Sequence, residues 1–199
     1  MKKLVLVLTL AVFALTGSAF AQDPTYFNNI GVYADTGALQ TQIQMRVDTT
    51  VRLYLVMSKI TTPAINGWEV KVTYENIDEI SFSPRGDAID AATRPNEHIV
   101  GLGVPIIPNP DGTAVLADIR LFLERFVHDP SQISTVHLTG VYFHALPHPA
   151  PAYVDADDVV REAHTSTFDG HLGGPVFIIN SGPVAVEQDT WGGVKSLYR

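Results

Sequence analysis

Histidine and aspartate are the residue types with most chemistry to offer in this chain. The chain carries seven histidines. His144 and His148 lie four apart with Pro147 between them, so they are not a helical ligand pair. His137 and His144 lie seven apart, an odd number, and on one regular strand they would face opposite sides. No H-E-x-x-H motif occurs. A zinc site needs three or four converging ligands, which this spacing does not supply, so the histidines read as scattered surface residues. The densest acidic patch is Asp155, Asp157 and Asp158. Carboxylate oxygens suit calcium, but an EF-hand loop has Gly at its sixth position and Glu at its twelfth, where this chain has Val160 and Ser166. Calcium held between loops is one reading of the three aspartates. The other is a solvated acidic loop that caps a helix start. No other cofactor is implied, and there is no phosphate-binding loop.

Nucleophilic chemistry has little to work with. The chain has no cysteine, which removes thiol nucleophiles, disulfides and Cys-based zinc sites. No G-x-S-x-G elbow is present. Glycoside hydrolysis needs two facing carboxylates, and the strand-embedded candidates, Glu69 and Glu124, read as outward residues on polar strand faces. The chain is therefore expected not to be an enzyme. Among the aromatics, Trp68 shares parity with Val70 and Val72 and reads as core. Tyr54, Tyr142 and Tyr153 could line a ligand face, and Tyr54, with the opposite parity to Leu53 and Leu55, is the better candidate for an exposed ligand-binding platform, together with Tyr153.

Such groups need strands to position them. In Ile65–Tyr74 the pair Asn66-Gly67 predicts an opening turn. Trp68, Val70, Val72 and Tyr74 then alternate with Glu69, Lys71 and Thr73, the period of a strand with one buried face. Asn29–Asp35, Val51–Lys59, Ile77–Phe82, His98–Val104, Thr135–Ala145 and Pro175–Asn180 read as further strands, as does Thr113–Arg125, where Leu116, Ile119, Leu121 and Leu123 would also suit a helix but alternation favours a strand. In these, Ile80 and Phe82 point inward, and Val115, Ala117, Ile119, Leu121 and Leu123 share one face. Pro84–Asn96 reads as a loop with a helical turn near Asp87–Ala92. Asp155–Ala163 reads as a short helix or an edge strand. Pro147, Pro149 and Pro151 predict a stiff connection. Short β segments punctuated by Gly and Pro give an all-β fold: a two-sheet antiparallel β-sandwich, jelly-roll or Ig-like.

Residues 1–21 have the pattern of a signal peptide: Lys2 and Lys3, an apolar run from Leu4 to Leu15, then Ala19-Phe20-Ala21. No later stretch is long and apolar enough to span a bilayer, so no transmembrane segment is expected in the mature chain. Cleavage removes two lysines and no acid, taking the formal charge from −8 to −10. That charge disfavours nucleic acid as a partner. The expected organisation is a sandwich over residues 22–183, then a spacer and a short helical C-terminal tail over 184–199. In the tail, Trp191, Val194, Leu197 and Tyr198 would share one docking face. The expected location is secreted, periplasmic or at the cell surface.

Arg52–Met57, with leucines at alternate positions, followed after a short Pro-containing link by I-x-G-W-E-x-x-V-x-Y at Ile65–Tyr74, resembles the early strands of cohesin-like β-sandwiches, which are related in architecture to carbohydrate-binding domains. Val115–Leu123 sits where such domains carry a core strand. The resemblance implies a jelly-roll-like sandwich and a role in protein–protein or carbohydrate-associated adhesion rather than catalysis. No dockerin-recognition motif matches. The expectation is a non-catalytic module that binds or scaffolds a protein or glycan partner outside the cytoplasm. The alternative is a carbohydrate- or calcium-binding module, and behind it a hydrolase.

Overall fold

The computed structural model describes residues 26–124, 132–168 and 173–180. The expected leader and the tail residues Trp191, Val194, Leu197 and Tyr198, with their short helix, lie outside the described residues. Every regular element that is described is a strand: β1 (Asn29–Tyr33), β2 (Gln42–Ile43), β3 (Thr49–Ser58), β4 (Ile65–Glu75), β5 (Asp78–Pro84), β6 (Ala88–Asp90), β7 (Glu97–Ile106), β8 (Ala114–Leu123), β9 (Ser134–Thr139), β10 (Ala152–Val154), β11 (Val160–Glu162), β12 (His164–Thr165) and β13 (Phe177–Ile179). No helix among the described residues is long and apolar enough to cross a membrane.

Two sheets form the sandwich. The five-stranded sheet runs β12-β1-β3-β8-β5. The eight-stranded sheet runs β11-β10-β4-β9-β13-β2, with β7 on β4 and β6 on β7. The expected antiparallel pairing needs correction, because both sheets are mixed: β1 pairs β12 in parallel, and β13 pairs β2 in parallel. In each case the partners come from opposite ends of the domain, and the chain between them supplies the long crossover a parallel pair requires.

Alternation builds the core between the sheets. Leu53, Leu55 and Met57 from β3 meet Trp68, Val70 and Val72 from β4, with Ile119, Leu121 and Leu123 from β8, all buried in one cluster. Three bulges break the alternation, and each corrects an expectation. Between Leu55 and Val56 the register with β8 jumps from Ala117 to Val115, which leaves Leu116 as the extra residue. Leu116 and Ala114 therefore turn into the core, while Val115 packs outside the sheet against Tyr33, Ala38, Val56 and Tyr54. A second bulge, between Glu79 and Ser81 on β5, leaves Ile80 52% exposed rather than inward. A third, between Ile65 and Gly67, puts Asn66-Gly67 inside β4 and not in a turn before it.

Two segments were misread from pattern alone. The helical turn expected near Asp87–Ala92 is a strand, β6, added to the edge of β7. The strand expected over Thr135–Ala145 stops at Thr139. A Cβ built on Gly140 would lie 2.4 Å from the backbone of Pro149 and Ala150, so the chain doubles back on itself there. Asp155–Ala163 takes the edge-strand option, with β11 pairing β10.

Candidate functional site

Residues 140–151 form a strap over the outer face of the eight-stranded sheet, and three glutamates hold it. Glu69 sits on the polar side of β4, as its parity requires, yet it is buried at 6% exposure because the strap lies over it. Its Oε1 accepts the Ala145 amide at 2.8 Å. Glu97, on β7 opposite Lys71 of β4, is equally buried, and its Oε1 accepts the Tyr142 amide at 3.2 Å. Glu162 of β11 contacts His148 Nε2 at 3.0 Å. At its ends the strap is pinned by buried Val141 and Pro151. Within it, the Leu146 carbonyl accepts from His144 Nδ1 at 2.6 Å. Prolines at 147, 149 and 151 restrict the backbone and lower the entropy lost on ordering it.

The middle of the strap buries few side chains. Tyr142 is 60% exposed and Phe143 66%. The two rings meet edge to face at 4.8 Å between centroids. Arg94, from the loop between β6 and β7, lays its guanidinium 3.6 Å from the Tyr142 ring centroid and 5.5 Å from that of Phe143. Cation–π attraction and edge-to-face packing hold the three side chains as one knob in water.

Beside the strap runs a groove of about 310 Å³, lined among others by Glu69, Ala91, Ile99, Ala145, Val154 and Val160. Gly67 of β4 faces Gly101 of β7 across the ladder, and the absent side chain at Gly101 opens the floor. A Cβ on Gly101 would meet nothing within 4 Å. Apolar walls next to an aromatic–arginine knob match the composition of protein-contact surfaces, where aromatic residues and Arg are enriched. Among the described residues no three His, Cys, Asp or Glu side chains gather as a metal-ion site.

No protein-family model and no characterised protein sequence matches the chain. The likeness is in three dimensions. The sixth cohesin of scaffoldin B from Acetivibrio cellulolyticus, solved in complex with a mutant dockerin, superposes with a TM-score of 0.52 at 12% identity, over 77% of this chain and 98% of that one. The fold is cohesin-like. A cohesin from a type I cohesin–dockerin complex of Clostridium thermocellum gives a TM-score of 0.49 at 11% identity, over 73% and 93% of the two chains. The cohesin module of a family 33 glycoside hydrolase from Clostridium perfringens gives 0.46 at 12%, over 70% and 92%.

On this cohesin-like frame the residues expected to bind ligand are scattered. Tyr54 is not an open platform: it is half-buried on the outside of the five-stranded sheet, with the guanidinium carbons of Arg52 and Arg85 at 5.4 and 5.6 Å from its ring centroid. Tyr153 is 1% exposed and packs in the core cluster. Asp155 is buried and caps its own turn, accepting the amides of Asp157 at 2.9 Å and Val159 at 3.0 Å and the Arg161 Nε. Arg161, with those amides, holds its carboxyl below the usual carboxylate range. Asp158 takes a left-handed φ of 58° and accepts the Asn66 side-chain amide at 2.7 Å, while Asp157 is exposed. Sequence reasoning passed over Phe143, Arg94 and Glu97. One signal was available: Tyr142 and Phe143 are adjacent, so on one strand they could not both face a core.

Proposed function

We propose that this chain is a non-catalytic protein-binding module working outside the cytoplasm, and that it meets its partner through the strap and Arg94. The observation that carries this reading is the knob of Tyr142, Phe143 and Arg94, exposed yet fixed. Aromatic and arginine side chains dominate binding energy at protein interfaces, and fixing them in advance lowers the ordering cost of association. The cohesin-like fold supports the same reading, since the Acetivibrio cohesin was solved with a dockerin bound. The extracellular setting rests on the leader-like pattern of residues 1–21.

Immobilised full-length mature chain tests this, with dockerin modules as the first analyte and the exported proteins of the source cell as the second. The partner is the protein retained by wild type and lost, by tenfold or more in affinity, from both Phe143→Ala and Arg94→Ala. Gly101→Leu fills the groove floor and should weaken the same partner. If all three variants retain it as wild type does, the strap is not the contact surface.

A further inference from the structure

The opposite face of the sandwich, the outside of the five-stranded sheet, carries a second arrangement that the strap does not touch. Strand register sets side chains of equal parity in transverse rows. Arg52 of β3, Arg120 of β8 and Ser81 of β5 form one row, and Tyr54, Asp118 and Ser83 form the next. Arg52 and Arg120 are thus directly opposed, a like-charge pairing that costs stability on a sheet. The one carboxylate in these rows is shared by two arginines, so it offsets the local positive charge only in part. Asp118 accepts Arg85 Nε at 2.7 Å and Nη2 at 3.2 Å, and it also accepts Arg52 Nε at 2.8 Å. Exposed Arg120 has no ion-pair or hydrogen-bond partner among the described residues. Thr50, Arg52, Ser81, Ser83, Asp118 and Arg120 line an open groove of about 600 Å³. All this sits on a chain whose net charge is −8, so the local excess of arginine runs against the composition.

We propose that this groove binds an anionic glycan, whose carboxylate or sulfate groups sit on Arg120 and Arg52 and whose hydroxyls bond Thr50, Ser81 and Ser83. Guanidinium forks bind the paired oxygens of carboxylates and of tetrahedral oxyanions in a bidentate manner. An anion between Arg52 and Arg120 turns their repulsion into shared attraction. A glycan fits better than an acidic protein, because the lining is hydroxyl and guanidinium, with the arginine-bound Asp118 carboxylate and with Val51 as the lone aliphatic contributor, and protein hot spots need a desolvated apolar anchor. Tyr54 serves as the bed for Arg52 and Arg85 and is not a stacking plate for a sugar ring, so polar contacts carry the recognition.

The test is calorimetric titration of the mature chain with oligogalacturonate and with a heparin oligosaccharide, beside neutral maltohexaose and poly-L-glutamate. At least one anionic sugar should bind, with affinity falling as salt rises. Arg120→Ala should weaken it by tenfold or more, and Arg120→Lys should restore only part. Phe143→Ala should bind it as wild type does, which separates this face from the strap. Arg120 is exposed and faces a like charge, so Arg120→Lys should keep the wild-type Tm and Arg120→Ala should keep or raise it. No binding of either anionic sugar overturns the proposal, and so does binding that Arg120→Ala leaves unchanged. Poly-L-glutamate binding as tightly as the sugars would reassign the face to acidic protein and overturn the glycan.

Discussion

Glu69 and Ala145 are 76 residues apart in sequence and 2.8 Å apart as acceptor and donor. This bond explains why a carboxylate lies buried on the nominally polar side of a strand. The strap covers Glu69, and the Ala145 amide gives one of its oxygens a hydrogen-bond partner. The Glu97–Tyr142 bond repeats the device one strand over. Together they fix both flanks of the aromatic knob.

Removing the acceptor should release the strap. Glu69→Ala should cost about 1–3 kcal/mol, the range for leaving a partly buried partner unmade. Glu69→Gln keeps an acceptor oxygen and should cost less. Hydrogen exchange should report it: the Ala145 amide loses protection in Glu69→Ala, while the β3 and β8 ladders keep theirs. Unchanged exchange at Ala145 would mean that other contacts hold the strap.

Two glycines should respond in opposite ways to alanine. Gly140→Ala drives a Cβ against backbone of Pro149 and Ala150 that cannot rotate aside. Overpacking of that kind typically costs about 1–3 kcal/mol. Gly101→Ala meets open space, and alanine is stiffer than glycine in the unfolded chain, so it should be neutral or stabilise by up to about 1 kcal/mol. Thermal melts of the two variants check both signs.

Asp118 gives a pH dependence of defined sign. The bond from Arg85, then that from Arg52, holds its carboxyl below the usual range. A carboxyl with a depressed folded pKa contributes stability that is fully present above its unfolded pKa, about 3.9, and is lost as pH falls through the folded value. The partners are partly exposed, so the contribution is modest. Asp118→Asn should therefore lie below wild type in Tm by a constant margin above pH 5, and the margin should close as pH falls below about 4. A margin that persists at low pH would assign the loss to packing and not to charge.

How much of this was legible beforehand varies by element. Wherever alternation was unbroken, as in Trp68–Val72, strand and buried face followed from the sequence. The bulges were not legible, because one extra residue such as Leu116 changes register without changing composition, and it moves every side chain on one side of it to the other face. The strap failed for a related reason. Val141, Tyr142 and Phe143 favour strands as strongly as those of β9 do, and only the close approach of Gly140 to Pro149 excludes one. The candidate contact site depends on that turn, so its position was hidden, and of its residues only Tyr142 was in view as a ligand-face candidate. Tyr54 shows the converse: its parity was read correctly, but the two arginines that cover it come from Arg52 nearby and from Arg85 on another segment.

Trp68 belongs to the frame that holds both faces apart. It is 2% exposed, and its ring centroid lies 6.1 Å from Phe82 of the facing sheet and 6.4 Å from His98 of the neighbouring strand. Phe82 and His98 in turn stack at 3.6 Å and 11°. Removing the indole opens a void under both rings, and aromatic-to-alanine changes in a core cost about 3–5 kcal/mol. That is a large part of the stability of a domain with no disulfide. The indole Nε1 is buried with no hydrogen-bond partner among the described residues, so part of what tryptophan gains by burial is offset by an unmet donor. Trp68→Phe keeps the aromatic contact with Phe82, removes that donor and leaves a smaller void, so it should lose clearly less than Trp68→Ala. Denaturant titration of the pair checks the order. Equal losses would mean that a phenyl ring recovers none of the contact with Phe82, and wild-type stability in Trp68→Ala would remove Trp68 from the core altogether.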